Sequence, residues 1–107
     1  MNRRLLVFAP SADHEAYARQ LGLLEGREAG CEDRDLLAEP VFEDGSDESA
    51  AARSRFRVEG GAFAAVLVGR DGGEKFRSAK PVPAEKLFDL IDAMPMRQRE
   101  MGITPPR

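Results

Sequence analysis

Few side chains in this chain could do chemistry, and their spacing limits what that chemistry could be. There is one cysteine, Cys31, and one histidine, His14. A lone cysteine forms neither an internal disulfide nor a CxxC pair, and one histidine beside it cannot complete a zinc site, so neither a metal nor a cofactor is expected. His14 closes the segment Pro10-Ser11-Ala12-Asp13-His14, where an imidazole at a helix start could act as a base or an anion contact. A nucleophilic set needs a serine or cysteine, a base and an orienting acid together, and none can be argued around His14. Ser11 reads instead as a helix N-cap, with Asp13 and Glu15 as first-turn carboxylates favoured by the helix dipole.

Cys31 falls at the far end of the first expected helix, near its negative dipole end and beside Glu28, Glu32 and Asp33. Each of these raises a thiol's pKa, so the expectation is a buried, unreactive cysteine acting as a small hydrophobe. The competing reading is a divergent thiol peroxidase or reductase that uses Cys31. Gly72-Gly73 lacks the lysine and helix that would follow in a phosphate loop and fits a hairpin turn. Asp44, Asp47 and Glu48 lack EF-hand spacing and read as a solvated face.

The elements that position these residues are organised around Ala62-Phe63-Ala64-Ala65-Val66-Leu67-Val68, an uninterrupted apolar run that stops at Gly69. Such a run is a strand buried on both faces, which requires helices on opposite sides of one sheet. Leu5 to Ala9, ended by Pro10, is a first and central strand. A helix follows, with Tyr17, Leu21 and Leu24 as its core stripe, Ala16 beside them, and Gly30 favoured over Gly26 as its left-handed stop. Asp35 to Phe42 is a second strand, and Pro40 places it at a sheet edge because proline has no ladder donor.

Ser46 or Asp47 caps a short helix through Arg57, packed by Ala51, Ala52 and Phe56, with arginines towards its end. The apolar strand then turns through Asp71-Gly72-Gly73 into a polar outer strand around Phe76. Pro83 opens a last helix whose apolar face is Leu87, Phe88, Leu90, Ile91 and Met94; Pro95 ends it, and Met96 to Met101 could add a turn. Strands are thus expected near residues 4–9, 35–42, 62–69 and 74–79, in a single domain over 1–101 with a frayed tail at 102–107.

Totals narrow the function further. With 107 residues there is room for one core. Sixteen basic and nineteen acidic residues give a net charge of −3, which disfavours nucleic acid as a partner. No apolar run approaches the ~20 residues of a spanning helix, so no membrane insertion is expected. Leu5-Leu6-Val7-Phe8 is too short for a signal-peptide core and no small-residue cleavage site follows; the chain as written stays in the cytoplasm, and one beginning after a removed leader would read the same. Charge is uneven: from Glu25 to Glu48 there are ten acidic residues against Arg27 and Arg34, which predicts an acidic end.

The order βαβαββα, with a right-handed crossover between the first two strands and a closing hairpin, gives a four-stranded mixed sheet flanked by helices, the minimal thioredoxin-like arrangement in the α/β class. Particular residues also carry a resemblance. Asn2-Arg3 ahead of Leu5-Leu6-Val7-Phe8-Ala9-Pro10-Ser11, Arg34-Asp35, Val68-Gly69-Arg70-Asp71-Gly72-Gly73, and the stretch from Leu87 to Arg97 together resemble the bacterial family known as domain of unknown function 4174. The most specific piece is Ile91-Asp92-Ala93-Met94-Pro95-Met96-Arg97. The resemblance covers nearly the whole chain. It implies a thioredoxin-like fold, similar to the peroxiredoxin-like domains of some extracellular matrix and sushi-repeat proteins, in a family with no established activity whose bacterial members often carry an export signal.

That likeness has consequences for the site. Thioredoxin-like enzymes keep their reactive cysteine where the first strand meets the first helix, and here that turn, Pro10 to His14, has none. The same likeness places it beside Glu59-Gly60-Gly61-Ala62, where related enzymes hold a cis-proline and this chain has two glycines. The expectation is a redox-inactive binding module that takes a protein or peptide partner through Pro10, Ser11, Asp13, His14, Gly60 and Gly61.

Overall fold

The computed structural model describes residues 2–102. Four strands, β1 (Arg3–Ala9), β2 (Leu36–Phe42), β3 (Ala64–Val68) and β4 (Glu74–Ser78), form one mixed sheet in the order β2-β1-β3-β4. All five residues of β3 are buried, as its unbroken apolar sequence demands. β1 runs parallel to β2 and antiparallel to β3, with Val7 opposite Pro40 on one side and Ala65 on the other. The missing amide of Pro40 is tolerated because β2 pairs only with β1. β3 and β4 make the expected hairpin, with an irregularity at Leu67/Val68 and Gly72 in the left-handed region at φ 81°.

Among the described residues five helices accompany the sheet: α1 (Glu15–Leu24), α2 (Glu28–Asp33), α3 (Asp47–Phe56), α4 (Ala84–Asp92) and α5 (Pro95–Glu100). One face of the sheet presents Leu5, Val7, Ala65 and Leu67 to Leu87 and Ile91 of α4, with Tyr17 and Leu24 of α1 packed alongside. The other presents Leu6, Phe8 and Val66 to Phe56 and Ala52 of α3. Two apolar layers on opposite faces are therefore present, and β3 lies between them.

The element order departs from βαβαββα at two places. Gly26, at φ 79°, ends the first helical turn-off after Leu24, and α2 begins two residues later. Gly30 is not a stop; it lies inside α2, where a Cβ would come 2.7 Å from the Phe88 ring and force that ring to shift. After α4, Pro95 stands at the first position of α5, a position that suits its fixed φ and missing amide. Pro83 is one residue earlier than expected, at the N-cap of α4.

Ala16, Tyr17 and Leu24 of the expected α1 stripe pack against the core, but its remaining position is taken by Gln20 and not by Leu21. Gln20 is fully buried, whereas Leu21 is 44 % exposed. The cause lies in the segment entering α4, where Pro81 and Pro83 leave the backbone of Val82 outside any ladder or helix. Gln20 supplies both missing partners, its Nε2 donating to the Val82 carbonyl at 2.9 Å and its Oε1 accepting from the Val82 amide at 2.7 Å. On α3 the cap is Ser46, whose Oγ accepts from Ser49 N at 3.1 Å, and Arg57 closes the helix in the left-handed region. Ser49 replaces the exposed Ala51 as a packing residue, because its hydroxyl can donate to the Phe42 carbonyl. Gly102 has φ 78°, and the rest of the expected tail, 103–107, lies outside the described residues.

Candidate functional site

The carboxyl ends of the parallel strands β1 and β2 release the chain on the same side of the sheet, where open α/β sheets usually bind ligands. Pro10 to His14 leaves β1 here, Glu43 leaves β2, and Gly60-Gly61 precedes β3. Glu43 ties the three together. Its amide donates to the Pro10 carbonyl at 3.2 Å, and its Oε2 accepts from Gly61 N at 2.8 Å. Gly61 has φ 79°, and a Cβ on Gly60 would come 3.2 Å from Glu43 Oε1. Glycine at both positions lets the backbone approach this carboxylate. Among the described residues, the hydrogen-bonded tie between the two predicted loops runs through Glu43, a residue that sequence reasoning left in a turn.

Ser11 does not cap α1. Its hydroxyl donates to Asp13 Oδ1, and the His14 amide closes the turn on the Ser11 carbonyl at 3.2 Å. His14 is itself the N-cap residue, without a side-chain cap bond. The Ser11 hydrogen bond, followed by Asp13's own backbone amide, holds the Asp13 carboxyl below the usual aspartate range. The His14 Nδ1 is buried without a hydrogen-bond partner among the described residues. Serine bonded to aspartate, with no hydrogen bond from either side chain to the His14 ring among the described residues, is not a nucleophile–base pair.

Cys31 lies in α2, partly buried against the apolar layer of α1 and α4. Burial pushes its thiol up, Glu28 adds to this, and Arg34 opposes it. Among the described residues no group of three His, Cys, Asp or Glu side chains is placed to hold a metal ion, and no helix is long and apolar enough to cross a membrane.

At the opposite end of the sheet is a cluster that sequence reasoning did not assemble. Arg3, 1 % exposed, bonds Glu100 and donates to the Arg34 carbonyl at 2.9 Å. Arg70 pairs with Glu100 and Asp35; Arg34 pairs with Asp92 at 2.9 Å; Arg97 pairs with Asp92 at 3.2 Å and Asp33 at 2.5 Å. Burial pushes the Asp92 carboxyl up, but hydrogen bonds from Arg34 and Arg97 outweigh it and hold the group below its ordinary value. Arg34 also lies over the Phe88 ring, 4.2 Å from its centroid. Four guanidiniums and four carboxylates joined in this way fasten α2, α5 and the β3–β4 turn to β1. The segments that meet here, Asn2-Arg3, Arg34-Asp35, Gly69 to Gly73 and Asp92 to Arg97, are among those on which the family resemblance rests.

Sheet, helices and sites define a small α/β domain with a four-stranded mixed sheet. Over residues 1–100 the chain matches the family described as Domain of unknown function (DUF4174), and it belongs to that family. No curated protein and no solved structure matches it.

Proposed function

We propose that the chain is a redox-inactive thioredoxin-like domain that binds a protein or peptide partner through the loops at the carboxyl ends of β1 and β2. The sheet order β2-β1-β3-β4, parallel on one side of β1 and antiparallel on the other, supports the thioredoxin-like reading. The observation that carries the function is the turn after β1. It holds Ser11 engaged with Asp13 and no thiol, while the only cysteine sits in α2 with its pKa raised. Lacking a thiol nucleophile, the three loops are suited to recognition, and Glu43 hydrogen-bonds to both of the others.

The experiment is a titration of candidate peptides, or of cell extract, into isotope-labelled protein with amide shifts followed. Binding through this site moves Ser11, His14, Gly60 and Gly61. A peroxide- or disulfide-reducing activity that disappears in Cys31→Ala would overturn the redox-inactive reading. Shifts confined to the Met96–Arg99 end would place the site elsewhere.

A further inference from the structure

On the helix-rich face of the sheet, α1, α2 and β2 enclose an open cleft of about 700 Å³. Its walls are apolar, formed by Tyr17, Leu21, Leu24, Leu36 and Ala38, with Cys31 among them. The cleft follows from the way α1 is held. Gln20 takes the core position, so Leu21 is turned out of the core and stands 44 % exposed at the cleft. The break at Gly26 then swings α2 round to form a second wall.

The lining also includes Glu25, Glu28 and Glu32. None of the three is in an ion pair among the described residues. The nearest cations in sequence are committed elsewhere, Arg27 to Glu85 and Arg34 to Asp92. An apolar floor with an uncompensated acidic rim selects by both chemistry and sign.

We propose that this cleft is a docking groove for a segment of a partner protein that presents apolar side chains flanked by lysine or arginine. Apolar groups would cover Leu21, Leu24 and Tyr17, and the flanking cations would meet the three glutamates. A second copy of this chain would bring one acidic rim against another, and an anionic membrane surface would be repelled for the same reason. The inference goes beyond the loop site proposed above and can fail without it.

The test uses Tyr17, which is the only tyrosine in a chain without tryptophan and therefore reports on the cleft directly. The probe is a short leucine–lysine peptide at helical spacing, free of aromatic residues, with a leucine–glutamate peptide of the same spacing as control. Tyr17 fluorescence should saturate with the lysine peptide, while the glutamate peptide binds at least about tenfold more weakly. Bound peptide should slow labelling of Cys31 by about tenfold. Leu21→Ser and Glu25→Lys, both at exposed positions, should each weaken binding by about fivefold, while Glu48→Lys on the opposite face changes it less than about twofold. Absence of saturation, equal affinity for both peptides, or equal loss in Glu48→Lys overturns the groove. So does a concentration-dependent dimer of the unmodified chain that Leu21→Ser dissociates, or tighter binding to phosphatidylglycerol vesicles than to the peptide. Amide shifts confined to Ser11, His14, Gly60 and Gly61 would reject the groove while leaving the loop site standing.

Discussion

Arg3 and Glu100, the first residue of β1 and the last of α5, face each other in a two-pronged ion pair, Nη1 to Oε1 at 3.2 Å and Nη2 to Oε2 at 3.0 Å. Arg3 is almost completely buried, and Glu100 also accepts from Arg70 Nε at 3.1 Å. A buried guanidinium must keep its acceptors, so this contact fixes where α5 can lie. The hydrogen bond from Arg3, followed by that from Arg70 against an opposing burial effect, holds the Glu100 carboxyl down to about 2.

Glu100→Gln tests that contact. It removes the charge opposite Arg3 but leaves the Arg34 carbonyl as an acceptor, so the expected loss is about 1–3 kcal/mol in urea unfolding at neutral pH. The pH dependence has a definite sign. Because the folded pKa lies below the ordinary value of 4.5, the contribution is complete above that pH and is lost as pH falls towards 2. Stability of the unmodified chain should therefore drop more steeply across that window than that of the variant. Parallel acid limbs would show that Glu100 contributes nothing through its charge.

Gln20→Leu should destabilise the fold although it replaces a polar residue by an apolar one in a buried position. Val82 would lose the partners of both its backbone amide and its carbonyl, at a cost of about 2–4 kcal/mol. A urea midpoint equal to that of the unmodified chain would mean that water or a local rearrangement satisfies Val82 equally well.

What could be read in the sequence divides along the range of the interactions involved. The buried strand Ala64–Val68 and the edge position of the Pro40 strand follow from single residues and short runs, and both are present. The burial of Gln20 in place of Leu21 was not legible, because it is set by Val82, 62 residues from Gln20. The ion-pair cluster was equally hidden: Arg3 to Glu100 spans 97 residues, and nothing local distinguishes those arginines from solvated ones. At the candidate site, the loops were recognisable as turns around Pro10 and Gly60-Gly61. The link through Glu43 was not, since its backbone meets one loop while its carboxylate meets the other.

Two glycine substitutions in neighbouring helices should act in opposite directions. At Gly22 in α1 no atom lies within 4 Å of a new Cβ, and Gly22→Ala should stabilise by about 0.5–1 kcal/mol through helix propensity. Gly30→Ala meets the same propensity gain in α2, but its Cβ would lie 2.7 Å from two atoms of the Phe88 ring. Displacing a ring held under Arg34 should leave a net loss of about 1–2 kcal/mol. Thermal unfolding of the pair decides it, and equal shifts of the same sign would contradict the close approach.

Cys31 should react more slowly with a thiol reagent in the folded chain than after denaturation. Burial and the Glu28 carboxylate raise its pKa, so the thiolate fraction at neutral pH is smaller than in the unfolded chain, and the rate should climb as pH rises through the alkaline range. Glu28→Gln, which removes the second of these causes, should speed native labelling by less than about threefold. Native labelling as fast as that of the denatured chain would restore Cys31 as a candidate nucleophile.

Glu43→Ala separates a structural tie from a loose connection. In the native chain the Gly61 amide is held by Glu43 Oε2, so the substitution should raise its hydrogen exchange at least about tenfold. The Glu43 amide remains available to the Pro10 carbonyl, which limits the overall loss of stability to about 0.5–1.5 kcal/mol. If Glu43 couples the loops, freeing Gly61 also shifts the resonances of Ser11 and His14, although neither contacts the substituted side chain by a hydrogen bond. A partner that needs both loops in register should then bind more weakly to Glu43→Ala. Faster exchange at Gly61 with Ser11 and His14 unmoved would mean that the two loops are independent, and a recognition surface spanning them would lose its physical basis.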